Sequence, residues 1–167
     1  LPSYKVRHLD NGMEVCLLPF GVAEIVEVQV VFEGGYSRQP ASGVARYTAA
    51  NMTEGTAAYT SLQLAQELDG RGAWINYEVD EDVCAFKLAT VSGRLSETLP
   101  LLFEALFRPT FPQEEFEQMK ARTLQKLEVS EQKTSYQARR LFGNLLFGND
   151  HPYGASAGRE EVAALTR

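Results

Sequence analysis

Ala73-Trp74-Ile75-Asn76-Tyr77-Glu78-Val79 and Val83-Cys84-Ala85-Phe86-Lys87-Leu88-Ala89-Thr90-Val91, with Asp80-Glu81-Asp82 between them, decide the fold of this chain. Both runs are rich in β-branched and aromatic residues, and the short connection predicts two strands joined as an antiparallel hairpin. Cys84, Phe86 and Leu88 alternate onto one face and are the candidate core of the second strand. The acidic residues Glu78, Asp80, Glu81 and Asp82 lack the turn glycine and the distal glutamate of a calcium loop, so they read as a solvated turn.

Working outward, Val26, Val28, Val30 and Phe32 share one face of the run from Ile25 to Glu33 while Glu27, Gln29 and Glu33 lie on the other, a strand ended by Gly34-Gly35. Met13 to Leu18 alternates in the same way behind the turn signal Asn11-Gly12. Helices are expected over Val44 to Met52 and Ser61 to Leu68, the latter stopped by Gly70 and Gly72. Leu95 to Phe107 is a third, in which Pro100 falls in the first turn or kinks it. Pro112 opens a fourth, with Glu114 and Glu115 in its positive first turn and an inward stripe of Phe116, Met119, Leu124 and Leu127. Leu141, Phe142, Leu145 and Leu146 carry a further helix, closed at Gly148-Asn149-Asp150, and a last one lies near Glu160 to Leu165. Strands paired through a hairpin and followed by a run of helices define an α+β, two-layer domain with a mostly antiparallel sheet backed by helices. One face of that sheet, from Val26 to Phe32 and from Cys84 to Leu88, is expected beneath the helices at 95–107 and 114–132. Residues 1–167 read as a single domain, and the absence of a closing strand after the last helix suggests a fragment of a longer polypeptide.

The 167 residues are 44% hydrophobic and 23% charged, an ordinary globular composition. Sixteen Lys and Arg against 22 Asp and Glu give a formal charge of −6, which opposes nucleic acid and anionic lipid as partners. No apolar run approaches the about 18 residues of a membrane span. The chain reads as soluble, of bacterial cytoplasm or periplasm, with the compartment itself left open because a targeting segment can be cleaved. Cys16 and Cys84 stand alone in apolar strands and read as two reduced core thiols, a single disulfide being the alternative. His8 and His151 belong to no helical ligand pair, and a zinc site from His8, His151, Cys16 and Cys84 is disfavoured. Nucleophile-elbow and phosphate-loop signatures are absent.

Gly34-Gly35-Tyr36-Ser37-Arg38, followed by Gly43-Val44-Ala45-Arg46-Tyr47-Thr48-Ala49-Ala50-Asn51-Met52-Thr53-Glu54-Gly55-Thr56, resembles the active-site helix of the pitrilysin/insulinase-like zinc peptidases, whose mitochondrial relatives are the processing peptidases. The resemblance continues in order through Gly70-Arg71-Gly72-Ala73 and Asn76, Arg108-Pro109-Thr110-Phe111 and His151-Pro152-Tyr153-Gly154, and so covers essentially the whole chain. It implies a LuxS/MPP-like metallohydrolase fold with a mixed sheet, an N-terminal domain repeated within each subunit, and a chamber formed by homologous subunits or domains.

In catalytic members that helix carries an inverted His-x-x-Glu-His. By the same resemblance, the first ligand histidine becomes Arg46, the general-base glutamate Ala49 and the second histidine Ala50, while the distal carboxylate falls at or beside Lys126, with Glu128 nearby. A guanidinium and an ammonium repel a dication, and methyl groups cannot ligate it. The resemblance thus implies zinc for the family but no cofactor in this chain, and a domain inactive on its own. Arg46 either holds an anionic group such as a peptide carboxylate or pairs with Glu54. Asn76, on a strand beside the cleft in the resembling family, is a candidate contact for an extended substrate, although Trp74, Asn76 and Glu78 also make a plain sheet face. The expected function is a non-catalytic homologue that shapes a peptide-binding chamber with a catalytic homologous subunit or a second homologous domain. The alternatives are a purely structural core-protein-like subunit and a piece of an active peptidase whose active residues lie elsewhere.

Overall fold

The computed structural model describes residues 3–149, 151–155 and 157–167. Asp150, in the expected helix stop, lies outside them. The chain runs β1 (Lys5–His8), β2 (Glu14–Leu17), β3 (Ile25–Phe32), α1 (Val44–Asn51), α2 (Ser61–Asp69), β4 (Trp74–Val79), β5 (Cys84–Val91), α3 (Leu95–Phe107), α4 (Gln113–Glu131), α5 (Thr134–Phe147) and α6 (Arg159–Ala164). Every strand pairing among the described residues is antiparallel. β1 and β2 form their own hairpin, and β5 sits between β3 and β4 in a second sheet. The register sets Phe86 against Val30 and Tyr77, and Leu88 against Val28 and Ile75.

That register builds the main core. Phe86 and Leu88 are buried beneath Leu64 and Leu68 of α2, Leu101, Leu102, Ala105 and Leu106 of α3, and Ala49 of α1, with Val28, Val30 and Phe32 packed at the side. Each buried Leu or Phe among them contributes about 1.5–3 kcal/mol. α2 forms because Thr60 and Gln63 cap it reciprocally, and it stops at Gly70.

Several expectations are corrected. β1, which carries little apolar patterning, was not foreseen; it exists because the Asn11-Gly12 turn folds it onto β2. The helix over α4 does not cover the Phe86 face. Its Phe116 instead packs on Tyr47 and Val162, with ring centroids of Phe116 and Tyr47 5.9 Å apart, in a second core against α1 and α6. The α5 stripe joins neither core: Leu141, Phe142, Leu145 and Leu146 are 59–77% exposed. Pro100 lies inside α3, beyond its first turn. Pro100 and Ser96 are both exposed, so the break in the hydrogen-bond ladder lies on the outer side of the helix. Both cysteines are free, but Cys16 is exposed rather than core, because β2 lies outside the main sheet; only Cys84 is buried. Burial pushes the Cys84 thiol up, and the Asp80 carboxylate adds to this.

The acidic turn between β4 and β5 is clasped, not simply solvated. The N–H groups of Gly35, Tyr36 and Ser37 donate to the carbonyls of Asp82 (3.2 Å), Asp80 (2.8 Å) and Glu81 (2.7 Å). The Asp80 side chain accepts from the N–H of Val83 (2.7 Å) and Asp82 (2.8 Å), which holds its carboxyl below the usual aspartate range. A lowered pKa stabilises the turn above the ordinary aspartate value and loses that contribution as pH falls through the depressed one. The protection of the Val83 amide, its exchange rate taken relative to the intrinsic rate at each pH, should therefore fall on acidification, and Asp80→Ala should remove the step. Protection unchanged in the wild-type protein down to about pH 2 would contradict this.

Candidate functional site

Helix α1 is positioned by its entry. Gly43 turns the chain at φ 94°, in the left-handed region that favours glycine, and brings no capping side chain. Gln39 supplies the cap instead, its Oε1 accepting from the N–H of Gly43 (3.1 Å) and Ala45 (3.3 Å). With the helix start held, Arg46 and Ala50 lie one turn apart on the same side.

That side of α1 forms one wall of a cleft of about 680 Å³ whose other walls are α4, α5, Tyr77 of β4 and the loop at 152–155. On α4, Arg122, Lys126 and Ser130 recur at i, i+4 and i+8 and face it together; on α5, Tyr136 and Arg139-Arg140 do the same. Of the residues singled out from sequence, the structure thus brings Arg46, Ala50 and Lys126 into one cleft. Ala49 is not with them: it is 1% exposed and packs in the main core. Glu128 is exposed and does not line the cleft. Asn76 is exposed opposite Lys87 on β4, and its neighbour Tyr77 reaches the cleft instead, its ring 6.4 Å from that of Phe86. Arg122, Arg139, Arg140 and Tyr136 were missed. Their helical spacing was visible, but which face meets α1 follows only from packing.

Among the described residues the lining carries five cations, Arg46, Arg122, Lys126, Arg139 and Arg140, and one acid, Glu81. Among the described residues none of the five forms an ion pair. The expected alternative pairing of Arg46 with Glu54 is not made, since the Glu54 carboxylate accepts from the Ser61 hydroxyl at 2.8 Å. Tyr47, also in the lining, has a buried hydroxyl that makes no hydrogen bond within normal limits among the described residues. Burial pushes that hydroxyl up, and the facing Thr123 and the Arg46 guanidinium oppose this by less. At the rim, the Tyr153 hydroxyl donates to both carboxylate oxygens of Asp82 at 2.8 Å, which raises its pKa and ties the 152–155 loop to the clasped turn.

His151 stacks on Phe147 at 5.7 Å and accepts the Tyr153 N–H on Nδ1 at 3.2 Å, the role of a loop residue. His8 pairs with Glu14 on the β1–β2 hairpin. Among the described residues no three His, Cys, Asp or Glu side chains gather as a metal-ligand set. At the helix positions where the resemblance implies a zinc ion, the cleft offers guanidinium, ammonium and methyl groups, so the residues present do not fit a dication. The cleft presents hydrogen-bond donors and positive charge, a set suited to oxyanions.

A layered α+β domain whose first capped helix walls a cleft against two later helices is the class that fold and site define. The model of the family described as Insulinase (Peptidase family M16) matches residues 21–147, and the chain belongs to that family. A search of curated proteins gives no significant match. Among solved structures, a peptidase M16 inactive domain from Pseudomonas fluorescens superposes with a TM-score of 0.89 at 24% identity, covering 98% of this chain and 40% of that one. A protease from Helicobacter pylori gives 0.82 at 18% identity, covering 99% and 41%. Pitrilysin gives 0.78 at 22%, covering 97% and 18%. These likenesses establish the shared fold. The chain spans about two-fifths of the first two structures and less than a fifth of pitrilysin. Among the described residues no helix is long and apolar enough to cross a membrane.

Proposed function

We propose that this chain is a non-catalytic M16 homologue, acting as one peptidase-like domain that holds an extended peptide and helps to form a binding chamber with a catalytic homologous subunit or a second homologous domain. The observation that carries the reading is the cleft on α1. Arg46, Ala50 and Lys126, at positions where the family resemblance calls for metal ligands, line one cavity in which the charge is positive and ligand side chains are replaced. A fold shared with the Pseudomonas fluorescens inactive domain supports it. The edge of β4, unpaired among the described residues, with Asn76 on it and Tyr77 reaching the cleft, provides main-chain groups to which an extended peptide can add as a strand.

The test has two readouts. After dialysis the purified chain should hold far less than one zinc per molecule and leave unstructured peptides uncleaved. On purification from the native host it should bring along a homologue with an intact His-x-x-Glu-His. One tightly bound zinc together with chelator-sensitive cleavage would overturn the proposal. The second reading is a purely structural subunit, and the exposed apolar face of α5 favours it. The two part on peptide binding, which the structural subunit would lack.

A further inference from the structure

We infer that the cleft selects an acidic stretch of polypeptide, seating its carboxylates among Arg46, Arg122 and Lys126; this rests on the peptide-binding reading above. The chain as a whole carries a formal charge of −6, yet five cations converge on this one cavity, with Glu81 the sole acid among its described lining residues. Five cations pair with carboxylates among the described residues, Arg38, Arg71, Lys87, Arg94 and Arg108, all of them outside the cleft. The cleft cations do not, among the described residues, although Glu54 stands close in sequence to Arg46 and Glu128 to Lys126. Like charges held together without counter-charges repel one another, and a bound anion relieves that repulsion while gaining charge-assisted hydrogen bonds.

Two independent features point the same way. The Tyr47 hydroxyl is buried in the lining and makes no hydrogen bond within normal limits among the described residues; Thr123 faces it, so the two hydroxyls can offer a donor to a bound oxyanion. β4 is an edge strand with backbone groups bonded on one side only among the described residues, and its Tyr77 lines the cleft. A peptide added to that edge presents alternate side chains in one direction, so acidic residues at every second position meet the cations. The volume of about 680 Å³ is far larger than a single phosphate or carboxylate group needs and suits several side chains.

The full chain is titrated calorimetrically with a capped, alternating Glu-Ala peptide of about ten residues, with its Gln-Ala counterpart, and with inorganic phosphate. The Glu-Ala peptide should bind at least about tenfold more tightly than the Gln-Ala peptide, a preference worth ~1.4 kcal/mol, and should weaken as salt rises. The double variant Arg122→Gln with Lys126→Gln should erase the preference, so that the Glu-Ala peptide binds no more tightly than the Gln-Ala peptide. Both side chains are exposed on α4, and Arg46→Gln on α1 is a second variant should the first fail to fold. Arg94→Gln, outside the cleft and paired with Glu97, should change nothing. Equal binding of the two peptides would overturn the inference and leave the peptide-binding reading standing. Binding of phosphate with neither peptide would overturn both. A preference that survives both sets of cleft substitutions would show that the acidic segment binds elsewhere, and would overturn the inference.

Discussion

Phe86→Ala should lower the stability of this domain by about 3–5 kcal/mol, the usual cost of emptying a fully packed aromatic site. Phe86 is 1% exposed in the central strand of its sheet, with Val30 and Tyr77 opposite it on the two neighbouring strands and the Phe32 ring edge-on at 6.3 Å. α2 and α3 close over the same face, so the space left by the ring is enclosed from the helix side. Domains of this size are stable by about 5–15 kcal/mol in total, so the loss is a large fraction of what exists. A urea titration checks it: the midpoint should fall sharply with the slope unchanged. Val31→Ala, one strand away but 54% exposed, should cost less than about 1 kcal/mol. Similar losses in the two variants would mean that the sheet face is not the core.

Gly35→Ala should cost about 2–4 kcal/mol and should also damage the cleft. Glycine is required at this position by space. A methyl group there would sit 2.5 Å from the Asp80 carbonyl oxygen, 2.5 Å from the Asp82 nitrogen and 2.6 Å from the Glu81 carbonyl carbon, all backbone atoms that cannot swing aside. The turn must shift, and with it the three hydrogen bonds from Gly35, Tyr36 and Ser37. Overpacking costs about 1–3 kcal/mol and each strained hydrogen bond about 0.5–1.5 kcal/mol. The same turn carries Glu81 into the cleft and Asp82 to the Tyr153 hydroxyl, so displacement reaches the site as well as the fold. Gly34→Ala is the matched control, since nothing lies within 4 Å of a methyl group there and it should be close to neutral. If both alanines were equally harmless, the clasp between this segment and the turn would not exist in solution.

How much of this was legible from sequence varies by element, for physical reasons. The alternation at Val26, Val28, Val30 and Phe32 and at Cys84, Phe86 and Leu88 is a local signal of one buried face, and both strands formed where the pattern placed them. The Gly70 stop of α2, the Gly34-Gly35 end of β3 and the short β4–β5 connection are likewise local, because dihedral preference and nearby hydrogen bonds act within a few residues. Helix α5 shows where such reasoning ends. Its apolar stripe has the spacing of a buried face, but the stripe is exposed, since whether a face is covered depends on a neighbour that periodicity cannot name.

The candidate site divides along the same line. The amino-acid sequence by itself determined the chemistry available: arginine, alanine and lysine at positions where related peptidases, by resemblance, carry metal ligands. Only the tertiary structure decided that Arg46, Ala50 and Lys126 share a cleft, that Ala49 belongs to the core instead, and that Arg122, Arg139 and Arg140 join them. The reason is that charge and donor type belong to a side chain, whereas convergence depends on how α1, α4 and α5 pack. The five cations of the cleft are spread over nearly a hundred residues of sequence, from Arg46 to Arg140, and no local rule brings those helices together.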